Sequence, residues 1–297
     1  MYQIFENESE NLEIYEYYCN SKNFLVDTVS EDSNKPVIIF FTGHGLYFPT
    51  SIEMFRKKVL EENRFEWKNI AKSSGIRDKV SKIIYIRDIY KNWCLKGINA
   101  NMNSIPKMIE WFQTIISGRN VITVGSSAGG YMAILFGYLL KAKSIYTFSP
   151  QISLYEYNKW HSINYYDEYV NDPSINIYMD LRQYMSKFEG KIYYITPYYC
   201  PEDKAQLDCL KECSIPNLKL FTVDENRHGY TVYGASIEKI LVMSEEKLDA
   251  LCDYYDGKII KPSHFCAKTS GPIKAISISF YRTLKKLKNF VTVCKKQ

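Results

Sequence analysis

The chain has 297 residues, 46% of them hydrophobic and 24% charged, a composition that excludes a wholly disordered or collagen-like protein. No stretch of about 18 uninterrupted apolar residues occurs, so no membrane-spanning helix is expected. The 38 basic and 33 acidic residues give a net charge of +5, but residues 257–297 hold ten Lys or Arg and no Asp or Glu, which leaves −5 for residues 1–256. A mildly acidic body thus precedes a strongly basic extension.

Met1 to Asn20 is acidic and tyrosine-rich, with no basic segment followed by an apolar run, so no secretory signal is expected and the chain reads as cytoplasmic. There its eight cysteines would stay reduced. Cys209 and Cys213 share a helix face, with Cys200 and His228 nearby in sequence, but the spacing matches no zinc finger or ribbon. Buried free thiols are expected, with no metal and no cofactor.

In chain order, Leu12–Tyr18 and Phe24–Thr28 read as short strands, and Pro36–Thr42 as a buried β-branched and aromatic strand ending at Gly43. A helix is expected over Ile52–Glu62 and a strand over Lys82–Ile86. Ser104 caps a helix to Ile116 whose apolar face is Ile105, Met108, Ile109, Phe112 and Ile116. Asn120–Val124 is a strand, Ala128–Lys141 a helix and Ser144–Phe148 a strand. Lys191–Thr196, a helix near Glu202–Glu212, Leu218–Val223 and a helix near Ser236–Tyr254 complete the body. Buried strands alternating with helices predict an α/β domain over residues 1–256 with a mainly parallel sheet flanked by helices. The aromatic, irregular segment 151–190 is expected as an insert over the site, and 257–297 as the extension.

The strongest local signal is Gly125-Ser126-Ser127-Ala128-Gly129-Gly130, between a predicted strand and a predicted helix. Gly-x-Ser-x-Gly fits only with Ser127 at its centre, because Val124 stands two before Ser126. A sharp strand-to-helix turn holds such a serine in strained geometry, and the helix start offers N–H groups to a developing oxyanion. A phosphate loop would need Lys and Ser or Thr after the last glycine, where Tyr131 and Met132 stand.

With that motif the chain resembles the α/β-hydrolase superfamily of serine hydrolases over roughly residues 12–254. It is most similar to the bacterial branch found with surface-polysaccharide biosynthesis, which is related to a hydrolase-like component of the accessory Sec secretion system. Phe41-Thr42-Gly43, Arg87-Asp88, Trp93, Gly97, the elbow through Tyr131, and Phe148-Ser149-Pro150-Gln151 carry the likeness. It implies an α/β-hydrolase fold and a triad in the order Ser, acid, His. His228, after the last body strand, is the expected base, rather than His44, His161 or His264. Asp203 is the expected acid, followed by Gln206 three residues on as in that branch. Glu202, Asp208 and Asp224 are the alternatives. The oxyanion donors expected are the Ala128 N–H and one from Gly43-His44-Gly45-Leu46, with His44 and Gly45 not distinguished. Arg87 and Tyr131 are expected substrate contacts, although the Arg87-Asp88 pair also suits loop ordering.

From Pro272, Ile273, Ile276, Phe280, Leu284, Leu287 and Val291 recur three or four apart, with Lys285, Lys286 and Lys288 mostly off the stripe. Such a helix can lie on a membrane surface or pack on protein, so a peripheral membrane or protein contact through 272–296 is expected. No nucleic-acid signature is present. The function these features imply is serine-dependent removal of O-acyl groups from a sugar or glycan precursor, by hydrolysis or by transfer to a glycan. A non-catalytic partner in glycan export or protein secretion is the reading from a different class.

Overall fold

A computed structural model describes residues 3–229 and 231–281. Its eight strands are β1 Phe24–Thr28, β2 Val37–Phe41, β3 Lys82–Ile86, β4 Val121–Ser126, β5 Ser144–Phe148, β6 Lys191–Pro197, β7 Leu218–Val223 and β8 Ile259–Ile260. They form one sheet in the order β1-β3-β2-β4-β5-β6-β7-β8, parallel except for β1 against β3. Helices cover both faces, so β2 is buried along its whole length and shows no polar alternation. Its side chains still divide by period two: Val37, Ile39 and Phe41 enter one core layer, Ile38 and Phe40 the other.

The helix over Ile105–Ile116 forms as its sequence predicts. The Ser104 side chain accepts from the Lys107 N–H, and Ile105, Met108, Phe112 and Ile116 are buried. The Ala128–Leu139 helix is buried from Ala128 to Gly137, as its nearly unbroken apolar sequence requires in the centre of a three-layer domain.

Several expectations are corrected. Leu12–Tyr18 belongs to a helix, Glu8–Asn20, in which Asn7 caps the Ser9 N–H. Asn11, Ile14 and Tyr18 face inward three and four apart, while Leu12 and Tyr15 are exposed. The long helix near Ser236–Tyr254 is two helices, Gly234–Val242 and Glu245–Tyr255, because Met243 and Ser244 are extended. The boundary at 256 falls inside the fold, since Ile259–Ile260 pairs with β7 and the Pro262–Ser270 helix buries Phe265 and Cys266. The expected apolar stripe begins in a helical stretch over 272–281, where Ile273, Ile276 and Phe280 are exposed and Ala275 is buried. Leu284, Leu287 and Val291, with Lys285, Lys286 and Lys288, lie outside the described residues. Among the described residues no helix is long and apolar enough to cross a membrane.

The segment 151–190 folds into four short helices, Leu154–Trp160, Tyr166–Asn171, Pro173–Asn176 and Arg182–Met185. Gln206 pins its start: Oε1 accepts from the Ile152 and Ser153 N–H groups at 2.7 and 2.9 Å, and Nε2 donates to Ser153 O at 3.1 Å. The insert is thereby fixed at the C-terminal edge of the sheet, where β4, β6 and β7 end.

Candidate active site

Ser127 sits between β4 and its helix with φ +58° and ψ −125°. A side chain held at positive φ costs about 1–3 kcal/mol and persists only where the surroundings enforce it. Two glycines show how. A Cβ on Gly125 would lie 1.9 Å from Gly129 O, and one on Gly129 would lie 2.4 Å from Phe41 O. The helix start therefore presses directly against β4 and β2, and the turn cannot relax. Alanine at Gly125 is expected to cost several kcal/mol, because the nearest atoms are backbone. A Gly125→Ala protein with an unchanged denaturant midpoint would refute this account of the turn.

His228 follows β7, and Asp203 is the third residue of the Pro201–Cys209 helix after β6. The structure brings both to Ser127: His228 Nε2 lies 2.7 Å from Ser127 Oγ, and His228 Nδ1 lies 3.1 Å from Asp203 Oδ1. A carboxylate oxygen only accepts, so the ring carries its proton on Nδ1 and Nε2 accepts from the serine hydroxyl. Asp203 is only 1% exposed and stands in the first turn of its helix, where the dipole favours negative charge. Burial pulls the His228 pKa down, and the hydrogen bond and charge of Asp203, with the charge of Glu202, outweigh it, so the net shift is upward.

The other acids point elsewhere. Glu202 lies 2.9 Å from His161 Nε2, Asp208 pairs with Lys211 at 2.6 Å, and Asp224 is exposed. Asp203 and Gln206, three apart, share one helix face, so one faces the histidine while the other holds the insert.

On the oxyanion side, the Ala128 N–H opens its helix and has no acceptor within it. Gly43 N–H donates to Glu66 Oε2 at 2.8 Å, which removes it as a donor to substrate. His44 and Gly45 then begin a short 3₁₀ helix, His44–Tyr47, so their amides are the leading ones of that turn. The turn packs against the elbow: a Cβ on Gly43 would lie 3.6 Å from Ser127 Cβ. The His44 ring is neutral, because burial, then the charges of Lys91 and His228, depress its pKa to about 3.

Arg87 and Tyr131 are not at the cleft. Arg87 is buried and committed to Asn23 Oδ1, Asn63 Oδ1, Arg64 O and Tyr17 Oη, over the Phe65 ring. Its role is the loop-ordering one. Tyr131 is fully buried, and its hydroxyl donates to Tyr178 O. Its position four residues after the nucleophile directs it into the core.

Gln151, which is not among the expected site residues, touches the serine. Its Nε2 donates to Ser127 Oγ at 3.1 Å, and its Oε1 accepts from Trp93 Nε1 at 3.0 Å. The indole N–H can only donate, so it fixes which end of the amide meets Ser127. The sequence signal was its place just past the C-terminal end of β5, beside the elbow on β4. Gln151→Ala is expected to lower turnover on p-nitrophenyl acetate about tenfold, the scale of one lost hydrogen bond that positions the nucleophile. A steady-state kcat within twofold of wild type would contradict it.

Among the described residues, no group of three His, Cys, Asp or Glu side chains is placed to hold a metal ion, and the cysteines are free.

Neither the family models nor the curated protein sequences match this chain. Solved structures do. A capsule O-acetyltransferase of Neisseria meningitidis serogroup A, in complex with CoA, superposes with a TM-score of 0.50 at 13% identity, over 80% of this chain and 99% of that one. A fluorophosphonate-binding serine hydrolase of Staphylococcus aureus (TM-score 0.48, 12% identity, 74% and 92% coverage) is similar. So is Est1E of Butyrivibrio proteoclasticus, solved with ferulic acid (TM-score 0.46, 12% identity, 77% and 95% coverage). With a mainly parallel eight-stranded sheet, helices on both faces and a strained serine after a central strand, this chain has the α/β-hydrolase fold.

Proposed function

We propose that the protein is a serine-dependent acyl-ester enzyme that removes O-acyl groups from a sugar or glycan precursor. The observation that carries this reading is the hydrogen-bonded chain Asp203–His228–Ser127, with distances of 3.1 and 2.7 Å. Ser127 Oγ attacks the ester carbonyl while its proton passes to His228 Nε2. Asp203 keeps the ring in the productive tautomer and stabilises the imidazolium. The Ala128 N–H and an amide of the His44–Gly45 turn hold the oxyanion. Collapse of the intermediate breaks the ester C–O bond, and the departing alcohol oxygen takes the proton from His228. Water then attacks the acyl-serine by the same route in reverse.

A second reading, acyl transfer, replaces that water by a sugar hydroxyl. The likeness of fold to a capsule O-acetyltransferase supports it and the glycan assignment together. Labelling of Ser127 by a fluorophosphonate tests both readings against a non-catalytic scaffold: an intact, folded protein that does not label at Ser127 overturns the enzyme reading.

The base must be neutral to accept the serine proton. With its pKa raised above the ordinary 6.5, His228 is protonated and idle below that raised value, and activity grows as pH rises through it. The acid limb of kcat/KM is therefore expected above about 6.5, the unperturbed imidazole value. A pH profile flat down to 5 would contradict this role.

A further inference from the structure

The helical stretch over 272–281 turns its apolar side away from the body. Ile273, Ile276 and Phe280 are 84%, 70% and 65% exposed, while Ala275 is buried and Ile278 and Ser279 are half-buried. At about 100° per residue, the three exposed side chains fall within about 60° of one another, and the three covered positions centre about 140° away. The covered side is the attached one. Ser279 Oγ lies 3.4 Å from Tyr233 Oη, and the preceding helix, Pro262–Ser270, is tied down where Ser270 Oγ donates to Ala235 O at 3.1 Å. The body therefore holds this helix by its other face, and among the described residues nothing covers the apolar row. A single exposed apolar side chain is ordinary, whereas a contiguous row marks a contact surface.

Charge selects what the row meets. Residues 257–297 carry ten Lys or Arg and no Asp or Glu, against a net −5 for residues 1–256. A second copy of the chain would bring the same cations to the same face, and like charges side by side oppose such a dimer. An anionic surface attracts the extension and repels the acidic body, which fixes the orientation in which the protein approaches it. The apolar spacing of the row recurs in the sequence at Leu284, Leu287, Phe290 and Val291, with Arg282, Lys285, Lys286 and Lys288 between. An apolar row interleaved with cations suits a helix lying in the plane of a bilayer surface rather than one that spans it. A bilayer with anionic headgroups offers both halves at once, acyl chains for the row and negative charge for the lysines. Tyr281, also exposed, borders the row and has the apolar ring and polar tip that suit the headgroup level.

We propose that the segment from 272 onward is a peripheral membrane anchor. It lays Ile273, Ile276 and Phe280 about 5–10 Å into the boundary between headgroups and acyl chains of an anionic bilayer. Lys274 and the basic residues that follow it in sequence meet the lipid phosphates. This docking is independent of the chemistry at Ser127.

The test is flotation of the full chain with vesicles of phosphatidylcholine alone and of phosphatidylcholine with about one-third phosphatidylglycerol, at about 0.1 M and about 0.5 M salt. Wild type is expected to float with the anionic vesicles at the lower salt, and to bind about tenfold more weakly at the higher salt or to the neutral vesicles. Ile276→Ser with Phe280→Ser removes the row and no charge. Lys285→Gln with Lys286→Gln and Lys288→Gln removes charge and leaves the row. Each set should weaken binding about tenfold, whereas Leu12→Ser, at an exposed apolar residue of the acidic body, should not. Circular dichroism checks that each variant folds, and the wild-type comparison of vesicles and salts decides without them if one does not. No binding, or equal binding to neutral and anionic vesicles, overturns the anchor. So does unchanged binding by either variant set, or an equal loss in Leu12→Ser. A lipid-free oligomer, seen by light scattering and dissolved by Ile276→Ser with Phe280→Ser, would assign the row to a second copy and overturn the bilayer.

Discussion

Replacing Ser127 by alanine is expected to abolish hydrolysis of p-nitrophenyl acetate, with a loss of several orders of magnitude in kcat. The neighbouring hydroxyl, that of Ser126, is not placed to substitute for it. Ser126 is the last residue of β4 and pairs in register with Phe148, so it is held in the sheet rather than at the turn. Ser127 alone has both an acceptor for its proton, His228 Nε2, and an N–H from Gln151 on its oxygen. The substitution removes the hydroxyl and leaves the strained backbone in place, so the protein should still fold. Ser126→Ala should retain much of the activity. Turnover and circular dichroism of the two variants check this, and a dead Ser126→Ala beside an active Ser127→Ala would reverse the assignment.

Asp203→Asn is expected to lower kcat by about 10⁴-fold, the scale known for a triad acid replaced by its amide. The amide either presents N–H to His228 Nδ1, which forces the ring proton onto Nε2, or turns its oxygen toward Nδ1 without the charge that stabilises imidazolium. Either way Nε2 ceases to be an effective base. The site around Asp203 is closed, and its Oδ2 is buried without a partner, so solvent cannot replace the lost charge. Glu202→Gln and Asp224→Asn should have far smaller effects, because Glu202 faces His161 and Asp224 is exposed. The acid limb of the pH profile should also fall in Asp203→Asn, since the residue that raises the His228 pKa is gone. A nearly normal Asp203→Asn beside a crippled Glu202→Gln would move the role to the neighbouring residue.

The sequence by itself indicated seven of the eight strands and the elbow, and the resemblance it carries implied the order Ser, acid, His. The five central strands, β2 to β6, are mostly apolar runs that are largely buried, whereas the two-residue β8 is too short to show a pattern. The glycine frame around Ser127 follows from local sterics: only small residues permit the contacts that Gly125 and Gly129 make with neighbouring backbone. Period alone did not separate strand from helix at Leu12–Tyr18, where spacing two and spacing four both fit, and burial of Ile14 and Tyr18 decided for helix. Choosing Asp203 over Glu202 needed the direction of the Pro201–Cys209 helix, because adjacent residues on a helix point about 100° apart. Arg87, by its place after a strand, and Tyr131, by its place in the elbow motif, are expected site residues, but a side chain's direction depends on what packs around it, and here both turn inward. The contacts of Gln151 with Ser127 and Trp93 came from the tertiary structure alone. They join the elbow, the loop after β3 and the start of the insert, and a contact across such sequence distances has no local pattern to announce it.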